Sequence, residues 1–233
     1  MRGNPDTSIG GPSGQFPSTR LSLLDAVATG VPDEALERVI ALYWKPVYRF
    51  IRLKFHKDNE DAKDLTQGFF TSALQRGFFV RFDPAIASFR TYLRMAVERF
   101  ACSQYAAATR QKRGGDVEFE PLEERAATSE SPEQVFDRDW QRQLFALALD
   151  ELRSHCEGYG KQLQLRIFEA YDLADGERPS YAQLAARHGI SETSVTNHLA
   201  WARRTLRGLV TERLRGTTSG PRELHEEMRR VWI

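Results

Sequence analysis

The side chains best suited to recognition chemistry lie on one short stretch, Tyr181 to Arg207. At about 100° per residue, Val195, Leu199, Ala202 and Leu206 fall on one helical face. The opposite face carries Thr193, Asn197, Ala200 and Arg204, flanked by Ser194, Thr196 and Trp201. An amide at Asn197 suits a bidentate contact with adenine, whereas Thr193 and Ser194 suit base edges or phosphates. Arg203, Arg204 and Arg207 suit phosphate oxygens. The chemistry implied is readout of a major groove, in which no bond is made or broken.

Those residues need a device to hold them at a groove, and the preceding sequence supplies one. Tyr181 to His188 reads as a short helix, Gly189 as a left-handed turn and Ser191 as the cap of the next helix. Ala185 is small where a second helix must cross closely, and Leu184, Ile190, Val195 and Leu199 form the wedge between the two. The pattern is that of a helix-turn-helix. His188, in the turn, is structural on this reading.

Other chemistries find little support. There is no Gly-rich phosphate loop, and His56, His155, His188, His198 and His225 are scattered along the chain. Cys102 and Cys156 have neither the number for a disulfide framework nor the spacing for zinc. The expectation is a protein that is not an enzyme, with no metal and no cofactor. The apolar runs fall short of the roughly 18 residues of a spanning helix, and the first residues do not resemble a secretory leader. The expected location is the cytoplasm, away from membrane.

The 233 residues are 41% hydrophobic, 11% aromatic and 28% charged, values of a folded globular chain with room for one large or two small domains. The net charge of +1 conceals a pattern. Arg81 to Arg113 is basic, Asp116 to Asp139 is strongly acidic, and the last third, with Arg187, Arg203, Arg204, Arg207, Arg213 and Arg215, is basic again. Two nucleic-acid modules on an acidic tether fit this order.

Apolar residues recur three or four apart throughout, which predicts an all-α fold of two small helical domains. The expected organisation is a disordered tail over 1–20, a helical domain over 21–113, a flexible acidic linker over 114–137, a helix-turn-helix domain over 138–210, and an extension with a short helix over 211–233. In the first domain, Asp33 opens a helix that Pro46 kinks or restarts. Asp58 or Asn59 caps the next, whose apolar stripe is Ala62, Leu65, Phe69 and Ala73. Asp61, Lys63, Asp64, Gln67, Gly68 and Thr71 project from its polar side. Residues 77–88 read as a loop in which Phe78 and Phe79 belong mainly to the core and Phe82 is left open. Phe89, Leu93, Ala96, Val97 and Phe100 mark the buried side of a further helix.

The run DAKDLTQGFF from Asp61 to Phe70 resembles the region-two signature of bacterial sigma factors, and the chain as a whole resembles their extracytoplasmic-function group, which has only the second and fourth sigma domains. Further segments carry the resemblance: Phe16 to Arg20, Tyr43 to Tyr48, Phe89 to Leu93, Gln111 to Gly115 and Tyr181 to Leu206. It implies core RNA polymerase, through its clamp and flap, and promoter DNA as partners. The clamp would dock on Asp61, Lys63, Asp64, Gln67 and Thr71. The second domain would sit on the minus-ten element, where Arg81, Phe82, Asp83 and Ser88 would capture an unstacked base while Arg90, Arg94, Arg110, Lys112 and Arg113 follow phosphates. The fourth domain would read the minus-thirty-five element.

Family docking helices often carry acids where Lys63 stands and near Gly68, so this face is less negative than usual. Some relatives are switched by threonine phosphorylation, which makes Thr71, on the polar face, and Thr66, at the edge of the apolar stripe, candidates for a Ser/Thr kinase. An anti-sigma factor is the other implied controller. The competing function is a helix-turn-helix regulator working without polymerase, which would need a ligand pocket or dimerisation helix that residues 21–105 do not display.

Overall fold

The computed structural model describes residues 33–75, 78, 81–83, 86–112, 130–218 and 220–232. The expected tail, much of the acidic linker and part of the loop that includes Phe79 lie outside the described residues. Those described form eight α-helices and no strand, an all-α chain. They divide into two compact units. One runs to Gln143 and resumes at Gly216; the other is Leu144–Arg215. The division therefore falls further along the chain than residue 138, and the C-terminal residues group with the first unit.

In the first unit, α1 (Asp33–Lys54) buries Val39, Leu42, Tyr43, Val47, Phe50 and Ile51, the three-and-four spacing of one helical stripe. Pro46 neither breaks nor restarts it. Its ring is buried between apolar turns on either side, and their packing outweighs one missing backbone hydrogen bond. Helix α2 (Asn59–Gln75) starts where the Asp58 carboxylate accepts the Asp61 N–H at 2.8 Å, and Glu60 and Asp61 in its first turn complement the helix dipole.

The buried face of α2 is Ala62, Thr66, Phe69, Phe70 and Ala73, rotated from the expected stripe so that Leu65 is only half-buried. Thr66 has no solvent exposure, and its hydroxyl donates to the Ala62 carbonyl at 2.6 Å. That local bond lets a threonine occupy the core. It also removes Thr66 as a phosphorylation candidate, because the acceptor oxygen is enclosed and already engaged.

Helix α3 (Phe89–Lys112) is capped by Ser88, which accepts the Thr91 N–H at 3.3 Å. Its buried side includes Phe89, Leu93, Val97 and Ala101. Phe89 meets Tyr43 edge-on at 5.5 Å, and Phe100 meets Phe69 at 5.8 Å, so aromatic pairs join α3 to both α1 and α2.

Helix α4 (Pro132–Gly158) begins at Ser131, whose hydroxyl accepts the Gln134 N–H while the Gln134 side chain accepts the Ser131 N–H. Its first turns belong to the first unit. There Asp139, 2% exposed, pairs with Arg49 at 2.9 Å, and Phe136 packs edge-on against Phe50. Helix α8 (Pro221–Val231) completes this unit.

Arg90 ties these elements together. Its guanidinium lies 4.3 Å from the Trp140 ring centre, with Nε 3.3 Å from Asp137 on α4 and a terminal nitrogen 3.2 Å from Glu227 on α8. Arg94 reaches the same Asp137 at 3.8 Å. The residue expected to follow phosphates is thus buried here with carboxylates as its partners. Burial pushes the phenol of neighbouring Tyr43 far above its ordinary value.

In the second unit, α4 continues through Leu144, Ala148, Leu152 and Cys156, all buried. Helices α5 (Gln162–Asp172) and α6 (Tyr181–His188) both pack on α7 (Glu192–Arg215). That long helix buries Val195, Leu199, Ala202, Leu206, Val210 and Leu214 in an unbroken ridge. Arg213 ties its end to α4 through Glu151 at 2.9 Å and the Leu147 carbonyl at 3.2 Å.

The cluster around Arg90 makes a pH prediction. Burial raises the Glu227 pKa above its ordinary 4.5, against the lowering pull of Arg90 and Arg230; Glu223 and Asp137 add to the rise. A raised carboxyl pKa means that the folded state holds the proton more tightly, so this contribution to stability is present at low pH and is lost as pH rises from the unfolded value through the folded one. Glu227→Gln should therefore unfold at nearly the same urea concentration as the native chain near pH 4 and gain on it steadily toward about pH 7. A difference independent of pH would show that the carboxyl titrates alike in both states.

Candidate nucleic-acid interface

The helix-turn-helix is assembled by three local devices. Ser180 caps α6 by accepting the Gln183 N–H at 3.1 Å, and the Gln183 side chain accepts the Ser180 N–H at 2.7 Å. Gly189 ends that helix at φ 65°, and no atom lies within 4 Å of where a Cβ would stand, so its backbone conformation rather than lack of space calls for glycine. Ser191 then caps α7, accepting the Ser194 N–H at 3.1 Å. Leu184, Ala185, Val195 and Leu199 are buried where the helices cross, with Ile190 half-buried beside them.

Of the predicted reading residues, Thr193, Thr196, Asn197, Arg204 and Arg207 are exposed on the outer side of α7. Ser194 is half-buried and shares a 2.9 Å hydrogen bond with the Ser191 hydroxyl, while Thr196 donates to the Glu192 carbonyl at 3.1 Å. Arg203 is exposed as well, but both it and Trp201 are engaged by other helices. Trp201 is half-buried, with its ring 6.1 Å from His155 on α4. Arg203 makes a bidentate pair with Asp172 of α5 at 2.8 and 2.9 Å and lies 5.7 Å from the Tyr171 ring centre. Its guanidinium acts as a strut between α5 and α7, because a planar fork on a carboxylate is already satisfied.

In the first unit, Asp61, Asp64, Gln67 and Thr71 are exposed and line one open groove of about 870 Å³, whose other wall includes Phe100 and Tyr105 of α3. Lys57 lies at the same groove, 3.6 Å from Asp61. Gly68 faces the α3 wall, and a Cβ there would stand in ordinary contact with the Phe100 ring, at 3.5 Å. Lys63 does not line this groove and pairs with Glu60 at 3.3 Å. Four of the five predicted docking residues are thus brought together.

The loop before α3 borders a second hollow, of about 560 Å³. Phe78 and Tyr92 are stacked along it, 4.5 Å apart at 14°, and Arg81, Asp83, Ile86, Met95 and Arg99 complete its wall and rim. The Tyr92 hydroxyl donates to the Phe78 carbonyl at 3.1 Å, and burial raises its pKa while Arg81 and Arg99 pull it down. Phe82 packs 5.4 Å from both Phe89 and Tyr92 and supports the wall from behind. Ser88 acts as the helix cap and Arg90 lies in the carboxylate cluster. Arg110 and Lys112 fall in the last turns of α3, and Arg113 lies outside the described residues.

Flat aromatic surface with cations at its mouth suits an unstacked base and its phosphate. Sequence reasoning missed Tyr92, Met95 and Arg99 at this hollow. Their three-and-four spacing along α3 was the available signal, obscured because Phe78, their partner, comes from a loop. Among the described residues no three His, Cys, Asp or Glu side chains are grouped to hold a metal, and no helix is long and apolar enough to cross a membrane.

No curated protein and no solved structure matches the chain. A family model described as ECF sigma factor does, over residues 20–211. The matched span runs from upstream of α1 into the last turns of α7, taking in the groove, the aromatic hollow and the helix-turn-helix, and the chain belongs to the ECF sigma factor family.

Proposed function

We propose that this RNA polymerase sigma factor directs core polymerase to promoters by dividing the task between its two units. The groove bordered by Asp61, Asp64, Gln67 and Thr71 receives the polymerase clamp. The hollow between Phe78, Tyr92, Arg81 and Arg99 takes an unstacked base of the minus-ten element, and Arg110, Lys112 and Arg113 follow the neighbouring phosphates. The outer side of α7 reads the minus-thirty-five element, while the second unit meets the polymerase flap. Initiation on this scheme is an exchange of binding free energy for strand opening, carried out in the cytoplasm and without catalysis by the chain.

The observation that carries this reading is the exposure of Asn197 with Thr193, Thr196 and Arg204 on one side of a helix whose other side is wholly buried. A helix locked by Val195, Leu199 and Leu206 presents its outer residues at fixed register, which is what base readout requires. Asn197→Ala should cost about 1 to 3 kcal/mol at one promoter base pair and relax preference there. Arg204→Ala should weaken binding on all sequences and reduce the salt dependence. Mobility-shift titrations across single-base promoter variants distinguish the two; an equal loss on every sequence for Asn197→Ala would place that amide on the backbone.

Docking is tested by reversing charge. Asp61→Arg with Asp64→Arg, both exposed and therefore compatible with folding, should abolish co-elution with core polymerase while helicity is retained. Unchanged co-elution would move the docking surface elsewhere.

Control enters through the same groove. Thr71 is exposed beside Asp64 and Gln67, and a phosphate there adds roughly two negative charges to a face short of acids. A Ser/Thr kinase is accordingly the controller this reading favours over an anti-sigma factor. Thr71→Glu should bind core polymerase more tightly than Thr71→Ala in a direct titration; equal affinities would favour a sequestering partner.

A further inference from the structure

Helix α8 joins the first unit from the far end of the chain. It has 11 residues, Gly220 at its N-terminus provides no side-chain cap, and its buried residues are Glu227 and Val231. A helix of this length is marginal by itself, so its docking must come from contacts. By comparison α1 buries an unbroken apolar stripe from Val39 to Ile51.

Gln141 of α4 donates to the Arg230 carbonyl of α8 at 3.0 Å, and the buried polar contact is Glu227 on Arg90, at 3.2 Å, with Arg230 3.0 Å from the same carboxylate oxygen. The other carboxylate oxygen, also buried, has no hydrogen-bond partner. Burial of this carboxyl is therefore incompletely compensated, as its raised pKa also indicates. An apolar residue at this position would have anchored the helix better. What the carboxylate provides instead is an anion on a guanidinium that otherwise keeps Asp137 at Nε and Trp140 against its face.

We propose that α8 is a releasable cover on the first unit, with Glu227 holding on Arg90 the place that a nucleic-acid phosphate takes once the helix leaves. Release exposes the terminal nitrogen of Arg90, still oriented by Asp137 and Trp140, beside Arg94, which is already partly exposed. The chain's own C-terminus thereby lowers its affinity for DNA until α8 is displaced. The proposal rests on the DNA-binding reading of the first unit and adds a control that neither the docking groove nor Thr71 supplies.

Native-state hydrogen exchange on the full chain tests the cover without a mutation. Amides of 221–231 should exchange at least about tenfold faster than those of the buried turns of α1 and α3, reporting sub-global opening. Exchange in step with those helices would overturn the proposal. The release variant is Val231→Asp, which places a charge in the buried contact, leaves Arg90 and Glu227 intact, and adds negative charge that by itself disfavours DNA. It should lose protection in 221–231 alone and bind a mixed-sequence duplex on the order of tenfold more tightly at low salt, with a salt dependence steeper by about one phosphate contact. Release without a gain in binding, or loss of protection throughout the first unit, would equally overturn it. Polymerase co-elution of the native chain separates the two levels. If it fails while α8 opens and DNA binding rises, the sigma-factor assignment of the groove is lost and the cover stands.

Discussion

A guanidinium buried among helices constrains everything around it, because it must be given anions and a flat surface or be expelled. Arg90 has both, and the residues that supply them lie far apart in sequence: Asp137 and Trp140 on α4, Glu227 on α8. Meeting that requirement draws the start of α4 and the C-terminal helix onto the unit built by α1, α2 and α3. It explains why the first unit resumes at Gly216 after the helix-turn-helix residues have intervened. The same cluster accounts for the buried Asp139, which turns to Arg49 on α1 and so fixes the rotation of α4 about its own axis.

Outside that cluster the fold depends on one-sided helices, and function is left to the sides that remain. On α7 the buried ridge from Val195 to Leu214 is continuous, so Asn197 and Arg204 have no core role open to them. On α2 the division is less strict. Thr66 enters the core by bonding to its own helix, which swings Asp61, Asp64, Gln67 and Thr71 together along the groove facing α3. Gly68 faces the Phe100 ring across this groove, at a distance that would leave a Cβ in ordinary van der Waals contact.

What the sequence made legible follows from the range of the interactions involved. The helix-turn-helix was readable down to its cap and its left-handed glycine, because Ser191, Gly189 and the wedge residues act within a few positions of one another. Helix α2 was readable in its exposed face but not in its buried one, where Thr66 and Phe70 replace Leu65, since a hydrophobicity pattern assigns threonine to the surface while a hydroxyl bonded at i−4 can lie inside. Arg90 could not be placed from its neighbours at all. Basic residues on a helix look alike until carboxylates more than forty positions away are folded against one of them. The pairing of Arg203 with Asp172 was hidden from the sequence in the same way.

The arginines of this chain therefore sort by partner. Arg203 and Arg213 are struts, each paired with a carboxylate on another helix of the second unit, and they brace the helix that carries Arg204. Arg81 and Arg99 stand at the rim of an aromatic hollow where an anion would complete their surroundings. Arg90 belongs to neither class: it is more buried than either strut, and it is paired on one side with a carboxylate whose second oxygen is left without a hydrogen bond. The Arg49–Asp139 pair likewise leaves one buried carboxylate oxygen without a hydrogen bond, and such an acceptor costs about 1 to 3 kcal/mol in either place. What sets Arg90 apart is the origin of its partners: Asp137 and Trp140 come from α4 and Glu227 from the C-terminal helix, so the Glu227 contact is the one that could be lost with the other two kept.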